Sequence, residues 1–336
     1  EGYDADAWVG FKAVLSENIV LDNSTIHKFS YPAEMESGSS NITIKNTEIY
    51  ELSRSGIRAL PGFLGGTFEN NYLHNSHSGQ GACNQCDPHG GSGFSIRVGN
   101  LVIKDNIVHD GFSQGLYFYP YTQYGPYTNI NITGNLFYDG QAGQLFKCEM
   151  IEGPVYITHN TIIGYAGGFS GEKLYYGGDQ FGASALAGYS SDNVHIENNV
   201  VVGLSGFGQA VADTGNVKNN IFYSWTIGSS IYPLSLANNL IIQPNYQYFL
   251  GAGNFFTGGS DPSFWEQYSY VGDVTHGQNL NDGYYPEIDS DACPGGASNQ
   301  LNLQEGEYVG AFPCEEPSPS LSTFVIIIDW FKNIFS

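Results

Sequence analysis

The stretch NVHIENNVVVGL, residues 193–204, decides the fold of this 336-residue chain. It reads as a buried strand, except that Asn198 and Asn199 interrupt it between Ile196 and Val200. Asparagine is depleted in strands, so the pair marks either a defect or a corner. The same pattern recurs in NIVLDNSTI (18–26), NITIKNTEI (41–49), GTFENNYL (66–73) and NLVIKDNIV (100–108). It returns in NINITGNLF (129–137), PVYITHNTI (154–162), NVKNNIF (216–222) and LANNLI (236–241). Each copy is an apolar strand, two polar residues, then another apolar pair. The second polar position holds Ser24, Thr47, Asn71, Asn106, Asn135, Asn160, Asn199, Asn220 and Asn239, so seven successive copies carry asparagine.

Each unit continues into a third strand, usually led by glycine: GFKAVL, GIRAL, GFSIRV, GLYFYP, GQLFKC and GQAVAD. The corner residues are mostly 19 to 29 apart, a period that fits the coil of a solenoid. Coils stacked at the strand spacing of ~4.8 Å place each corner above the last. Asparagine suits such a corner, because its amide both donates and accepts and tolerates left-handed backbone. A column of asparagines can also hydrogen-bond along itself.

These repeats resemble the right-handed parallel β-helix proteins of the pectate-lyase-like superfamily over about residues 8 to 245. The closing segment DACPGGASNQLNLQEGEYVGAFPC resembles the end of many such proteins. The expected architecture is all-β: a right-handed parallel β-helix of about nine coils with an Asn ladder. It is expected to fill residues 1–314, followed by a Pro/Ser linker (315–320) and an apolar amphipathic tail (321–336). A left-handed hexapeptide helix needs a strict six-residue period, which is absent. A β-propeller needs longer repeats and antiparallel blades.

Composition agrees with a turn-rich β protein: there are 44 glycines, aromatics are 15% of the chain, and no segment of its body sustains helical periodicity. The formal charge of −22 comes from a scarcity of bases, 11 against 33 acids. Nucleic acid is excluded as a partner, since phosphate neutralisation needs a basic stripe. Three N-x-S/T sequons, at Asn23, Asn41 and Asn131, and the cysteine usage point to an extracellular or cell-surface location. The chain begins at Glu1 without Met or a signal peptide, which reads as a processed or engineered end.

Two corner intervals are long: 35 residues from Asn71 to Asn106 and 39 from Asn160 to Asn199. Their surplus falls in loops 76–93 and 165–184, each ahead of a third-strand segment and three coils apart. Three coils span roughly 14 Å, so the loops are expected to wall a trough. Alternation along the strands sends Phe94, Ile96, Leu116, Phe118 and Phe146 inward. The floor is then Arg97, Tyr117, Tyr119, Lys147 and Glu149, with Asp87 and His89 on one rim. Glu172, Lys173, Tyr175, Tyr176 and Asp179 stand on the other. Aromatic faces stack on sugars, while Arg and Lys hold carboxylates or sulfates, so an anionic polysaccharide is the expected partner. The plainer alternative is an outward tyrosine stack, with the bases paired to Glu149 or Glu152.

The resemblance implies more specific chemistry. Polysaccharide lyases of the superfamily use a Lys or Arg base and acidic residues that hold calcium. Carried onto this chain, Lys147 or Arg97 is the base and Glu149 the acidic partner, with Asp87 and Glu149 near the calcium. Tyr117, Tyr119, His89, Tyr175 and Tyr176 would bind substrate. The Asp-Asp pair of the polygalacturonase branch is absent, as is the Arg-x-Pro-x-x-Arg signature of classical pectate lyases. The alternative function is a non-catalytic adhesin or structural solenoid.

CNQC places two residues between Cys83 and Cys86. A local disulfide is the leading reading outside the cell. A zinc site completed by His77 and His89 is the alternative, and two free thiols a third. Cys293 and Cys314 form a second candidate disulfide. His74 and His109 occupy matching turn positions and are expected to stack. His159 and His195 flank the ladder strands as solvated positions. In the tail, LSTFVIIIDWFKNIFS is too short in apolar residues to span a bilayer, which needs about 20. As a helix it would gather Phe324, Ile327, Ile328, Phe331 and Ile334 on one face, for membrane-surface or protein contact or as a cap on the last coil.

Overall fold

The structure, a computed structural model, describes residues 9–76, 91–109, 112, 114–119, 126–138, 146–164, 181–185, 193–203, 210–212, 216–223, 235–237, 240–242 and 255–257. Among these residues all regular structure is strand. The strands form three parallel sheets, each taking every third strand of the chain as far as β24.

The first sheet contains β1 (Val9–Ala13), β4 (Tyr31–Met35), β7 (Ile57–Ala59), β10 (Ser92–Ile96), β13 (Gln114–Phe118), β16 (Phe146–Ile151), β19 (Phe181–Ala185) and β22 (Ala210–Ala212). The second contains β2 (Val20–Asp22), β5 (Ile42–Lys45), β8 (Gly66–Glu69), β11 (Leu101–Lys104), β14 (Ile130–Thr133), β17 (Val155–Thr158), β20 (Val194–Glu197), β23 (Asn216–Lys218) and β25 (Ser235–Ala237). The third contains β3 (Thr25–His27), β6 (Glu48–Tyr50), β9 (Tyr72–His74), β12 (Ile107–Val108), β15 (Leu136–Tyr138), β18 (Thr161–Gly164), β21 (Val200–Gly203), β24 (Ile221–Tyr223), β26 (Leu240–Ile242) and β27 (Phe255–Thr257). The chain is thus a parallel β-solenoid. Eight described coils place a strand in all three sheets, against the nine corners counted in the sequence.

NVHIENNVVVGL supplies β20, a corner and β21. The two polar residues of each corner do different jobs. The first carries left-handed backbone: Asn23, Asn46, Asn70, Asp105, His159, Asn198 and Asn219 have φ between 49° and 58°, and Gly134 has 69°. This turns the chain sharply at a tolerable cost, because short polar residues and glycine visit that region most readily. From Thr47 to Asn220 the second residue points inward and is buried, with Asn106, Asn135, Asn160, Asn199 and Asn220 at 0% exposure.

The buried amides form a continuous ladder. Each backbone N–H and each Nδ2 from Asn71 to Asn199 donates to Oδ1 of the asparagine in the following coil, at 2.9–3.1 Å. Nδ2 also reaches a strand carbonyl of the preceding coil, as in Asn199 to Ile157 at 2.8 Å. Backbone groups that a buried bend would orphan are satisfied in this way. Inside the corners, alternate strand residues such as Ile44, Phe68, Ile103, Ile132, Ile157 and Ile196 fill the core. Burying each contributes about 1.5–3 kcal/mol.

Stacking also explains the glycines that lead the third strands. A Cβ at Gly56 would lie 2.8 Å from the Gly93 carbonyl oxygen, and one at Gly93 would lie 2.6 Å from that of Gly115. Successive coils approach too closely there for a side chain.

Candidate functional site

Three outward faces are available for binding. Two of them are closed by contacts between successive coils.

On the second sheet, one outward column runs Asp22, Lys45, Glu69, Lys104, Thr133, Thr158, Glu197 and Lys218. Its charges alternate and pair across coils: Lys45 with Asp22 at 3.3 Å, Lys104 with Glu69 at 2.7 Å, and Lys218 with Glu197 at 3.3 Å. The Asn46 amide and then Lys45 hold the Asp22 carboxyl below its usual range, while the Glu69 hydrogen bond raises Lys104. Opposite charges in register stabilise a sheet face; this face is scaffold.

On the third sheet, rings replace charges. His27, Tyr50, His74, His109 and Tyr138 stack in one column, with centroids 4.8, 5.3, 5.7 and 4.4 Å apart. His74 and His109 therefore stack, as their turn positions imply. His109 is 3% exposed, and its Nε2 bonds the Tyr72 hydroxyl at 2.8 Å. Burial, followed by the neighbouring His74, lowers the His109 pKa well below that of a free histidine. On the second sheet's other outward column His195 stacks on Tyr156 at 5.1 Å and meets Glu197 at 3.0 Å.

The first sheet differs. The chain has three arginines, Arg54, Arg58 and Arg97, and all lie on this sheet or its edge. Arg58 is in β7, Arg54 precedes it, and Arg97 follows β10 with its N–H bonded to the Ala59 carbonyl at 2.9 Å. One outward column runs Lys12, Glu34, Arg58, Ser95 and Tyr117, and the backbone register continues it to Lys147 and Gly182. Two residues further along the strands stand Arg97, Tyr119, Glu149 and Ser184.

The structure brings Arg97, Tyr117 and Tyr119 together. The Arg97 guanidinium carbon lies 4.2 Å from the centre of the Tyr119 ring, a favourable cation–π distance. Tyr117 and Tyr119 meet edge to face at 4.7 Å. Inward of them Phe94, Ile96, Leu116, Phe118 and Phe146 are fully buried. Ser95 faces outward yet is 1% exposed, because its small side chain lies between Arg58 and Tyr117. Lys147 and Glu149 are placed by backbone register alone, Lys147 opposite Tyr117 on one side and Gly182 on the other.

The two insertions lead into β10 and β19, which are separated by β13 and β16. The strands that follow the two insertions are therefore three steps apart in one sheet. Asp87, His89, Tyr175, Tyr176, Glu172, Lys173 and Asp179 lie outside the described residues. So do Cys83, Cys86, His77, Cys293, Cys314 and the segment 315–336. Among the described residues no cluster of His, Cys, Asp or Glu is arranged to hold a metal ion, and no helix is long and apolar enough to cross a membrane.

Several residues of this face escape a reading of the sequence. Glu34, 5% exposed, accepts a short hydrogen bond from Arg58 Nη1. Lys12 stands 3.5 Å from Glu34 and 2.6 Å from Glu36; its hydrogen bond is the main cause that lowers the Glu36 pKa. Arg58 lies over the Tyr31 ring at 3.8 Å, and Arg54 donates to the Tyr31 hydroxyl at 2.8 Å. Tyr127, fully buried, donates to the Tyr119 carbonyl at 2.7 Å and fixes the end of β13. The signal for Arg58 was present: alternation in GIRAL turns Ile57 and Ala59 inward and leaves Arg58 out.

Comparison with curated proteins and with solved structures returned no match. A sequence model of the right handed beta helix region matches residues 9–184. Those residues cover over half of the chain and include the ladder asparagines Asn71, Asn106, Asn135 and Asn160, so the chain belongs to the right-handed β-helix family.

Proposed function

We propose that the outward face of the first sheet binds an anionic polysaccharide outside the cell and cleaves it in lyase-like fashion. The supporting observation is the placement of the arginines. In an acidic chain with 11 bases, all three arginines gather on one sheet beside half-exposed tyrosines, whereas Lys45, Lys104 and Lys218 are paired with acids on another. Arginine holds planar carboxylates and sulfates through paired donors.

The roles follow from side-chain chemistry. The stack of Arg97 on Tyr119 holds the guanidinium in place to neutralise a uronate carboxylate. That withdrawal of charge acidifies the neighbouring C–H. Lys147, one strand from Tyr117 in the next coil, is the base: lysine shifts its pKa readily when desolvated or crowded by cations. It takes the proton, the C–H electron pair becomes the new double bond as the bond to the leaving sugar oxygen breaks, and that oxygen is protonated by water. Glu149, two residues on, would orient the ammonium. Tyr117 and Tyr119 supply the surface for the sugar rings.

The test is incubation with a panel of uronic-acid polysaccharides, with and without calcium, reading the unsaturated product by ultraviolet absorbance. Lys147→Ala and Arg97→Ala are expected to abolish product formation. Binding without product from any polymer would replace the enzyme with a non-catalytic adhesin. Neither binding nor product would end the reading.

A further inference from the structure

Of the three N-x-S/T sequons, the one at Asn131 has its asparagine inside a strand, in Asn131–Ile132–Thr133 of β14. We propose that Asn131 carries an N-linked glycan whose first sugar lies on the ring of Tyr156 in the next coil. This rests on the chain's export from the cell and is independent of any cleavage on the first sheet.

Ile132 is fully buried, so alternation turns Asn131 and Thr133 outward together on the second sheet. Asn131 stands in register with Val102 on one side and Tyr156 on the other, and Tyr156 in turn with His195. Tyr156 is 44% exposed. Its ring stacks on His195 with planes 10° apart and centroids 5.1 Å apart. His195 belongs to the following coil, so the opposite face of the Tyr156 ring is turned to the coil of Asn131. Among the described residues no side-chain hydrogen bond engages the Asn131 amide. A sugar joined to that amide meets the ring one strand step away, ~4.8 Å, and the apolar face of a sugar packs on an aromatic ring.

The charges of this sheet leave a gap at the same place. In the neighbouring outward column Lys104 pairs with Glu69 and Lys218 with Glu197. The two coils between hold Thr133 and Thr158, joined hydroxyl to hydroxyl at 3.2 Å. Asn131, Thr133, Tyr156 and Thr158 therefore form an uncharged patch, which suits the hydroxyls of a neutral sugar. The other sequons have no such ring. Asn41 Nδ2 donates to Asn18 Oδ1 at 2.6 Å, and Asn23 stands at a corner whose counterparts in the next coils are Asn46 and Asn70. The attachment is redox-neutral. Asn131 Nδ2 attacks C1 of an oligosaccharide held on a lipid pyrophosphate; the N–C1 bond forms as the C1–O bond breaks, and the pyrophosphate leaves as the amide gives up one proton to solvent.

The experiment expresses the full chain behind a cleavable secretory leader in insect cells and, without the leader, in bacteria. Trypsin separates the sequons, because Asn23, Asn41 and Asn131 fall in peptides 13–28, 29–45 and 105–147. Mass spectrometry is expected to find a glycan on peptide 105–147 from insect cells, removed by peptide N-glycosidase. Asn131→Gln should then lower the thermal midpoint of the insect-cell protein by about 2 °C, the worth of one ring contact. That shift should vanish in a Tyr156→Ala background and in protein made by bacteria, and Asn23→Gln should leave the midpoint unchanged. A secreted chain without a glycan at Asn131 refutes the site, whether or not the same preparation binds a polysaccharide. An Asn131→Gln shift that is equal with and without Tyr156, or equal in bacterial protein, refutes the seat on the ring. Polysaccharide binding, measured on the same preparations, reports separately on the first sheet.

Discussion

Asn198 and Asn199 share a corner but not a job, and substituting them separately tests that division. Asn199→Ala removes an amide that accepts from the Asn160 backbone N–H at 2.9 Å and donates to the Ile157 carbonyl at 2.8 Å. Asn160 Nδ2 keeps its bonds to the Ile132 and Thr158 carbonyls. The substitution therefore strands one buried N–H and deprives one buried carbonyl, each costing about 1–3 kcal/mol. A loss of about 3 kcal/mol is expected, which at about 2 °C per kcal/mol lowers the thermal midpoint by roughly 6 °C. Asn198, at φ 58°, contributes backbone conformation instead. Asn198→Gly is expected to change the midpoint little, and Asn198→Ala to cost about 1 kcal/mol for left-handed backbone. Asn199→Gly gains nothing over Asn199→Ala. The assay is thermal unfolding followed by the β-sheet circular dichroism band. Equal losses in Asn199→Ala and Asn198→Ala would refute the ladder as the element that joins the coils.

Other perturbations probe the remaining faces. His109 is buried and neutral among His74, Tyr72 and Tyr138, and its pKa is lowered by burial. The unfolded chain takes up a proton below pH ~6.5 that the folded chain refuses. Stability is thus full above that pH and falls by up to about 1.4 kcal/mol per unit below it, until the folded value is reached. His159 is lowered in the same direction; midpoints measured from pH 7 to 5 should flatten in His109→Gln, and an unchanged slope would remove His109 from the account. Lys104→Met breaks a half-exposed pair with Glu69 and should cost under about 1 kcal/mol, a difference that vanishes in high salt; a larger, salt-resistant loss would show that the second sheet's charges matter more than surface pairs do. Gly91→Ala pushes a methyl into the Arg54 carbonyl and should lower the midpoint, whereas a wild-type midpoint would show that the strand entry can yield.

The corners were legible because few side chains both donate and accept within one short amide. The repeat of asparagine at one position therefore betrayed a hydrogen-bonded column before any coordinates. Inward residues were equally legible, since alternation leaves one choice for Phe94, Ile96, Leu116 and Phe118. The split between neighbours was not, because the sequence shows two polar residues and does not say which of them bends. Contacts across coils were the least legible. Glu34 and Arg58 are 24 residues apart, and their pairing depends on a register that a shift of one residue would destroy. Tyr127 is harder still: it looks like any aromatic in a loop until its hydroxyl is found on the Tyr119 carbonyl.

From Asn106 to Asn199 each ladder asparagine receives the same bonds from the coil before and gives the same bonds to the coil after. A coil excised or duplicated in the gene would thus leave two ends that still match, and the seam would heal with no compensating change. The cations of the first sheet ride on those interchangeable coils. The length of that outward face is therefore a property that duplication can adjust in whole steps, while the hydrogen-bonded spine beneath it stays the same.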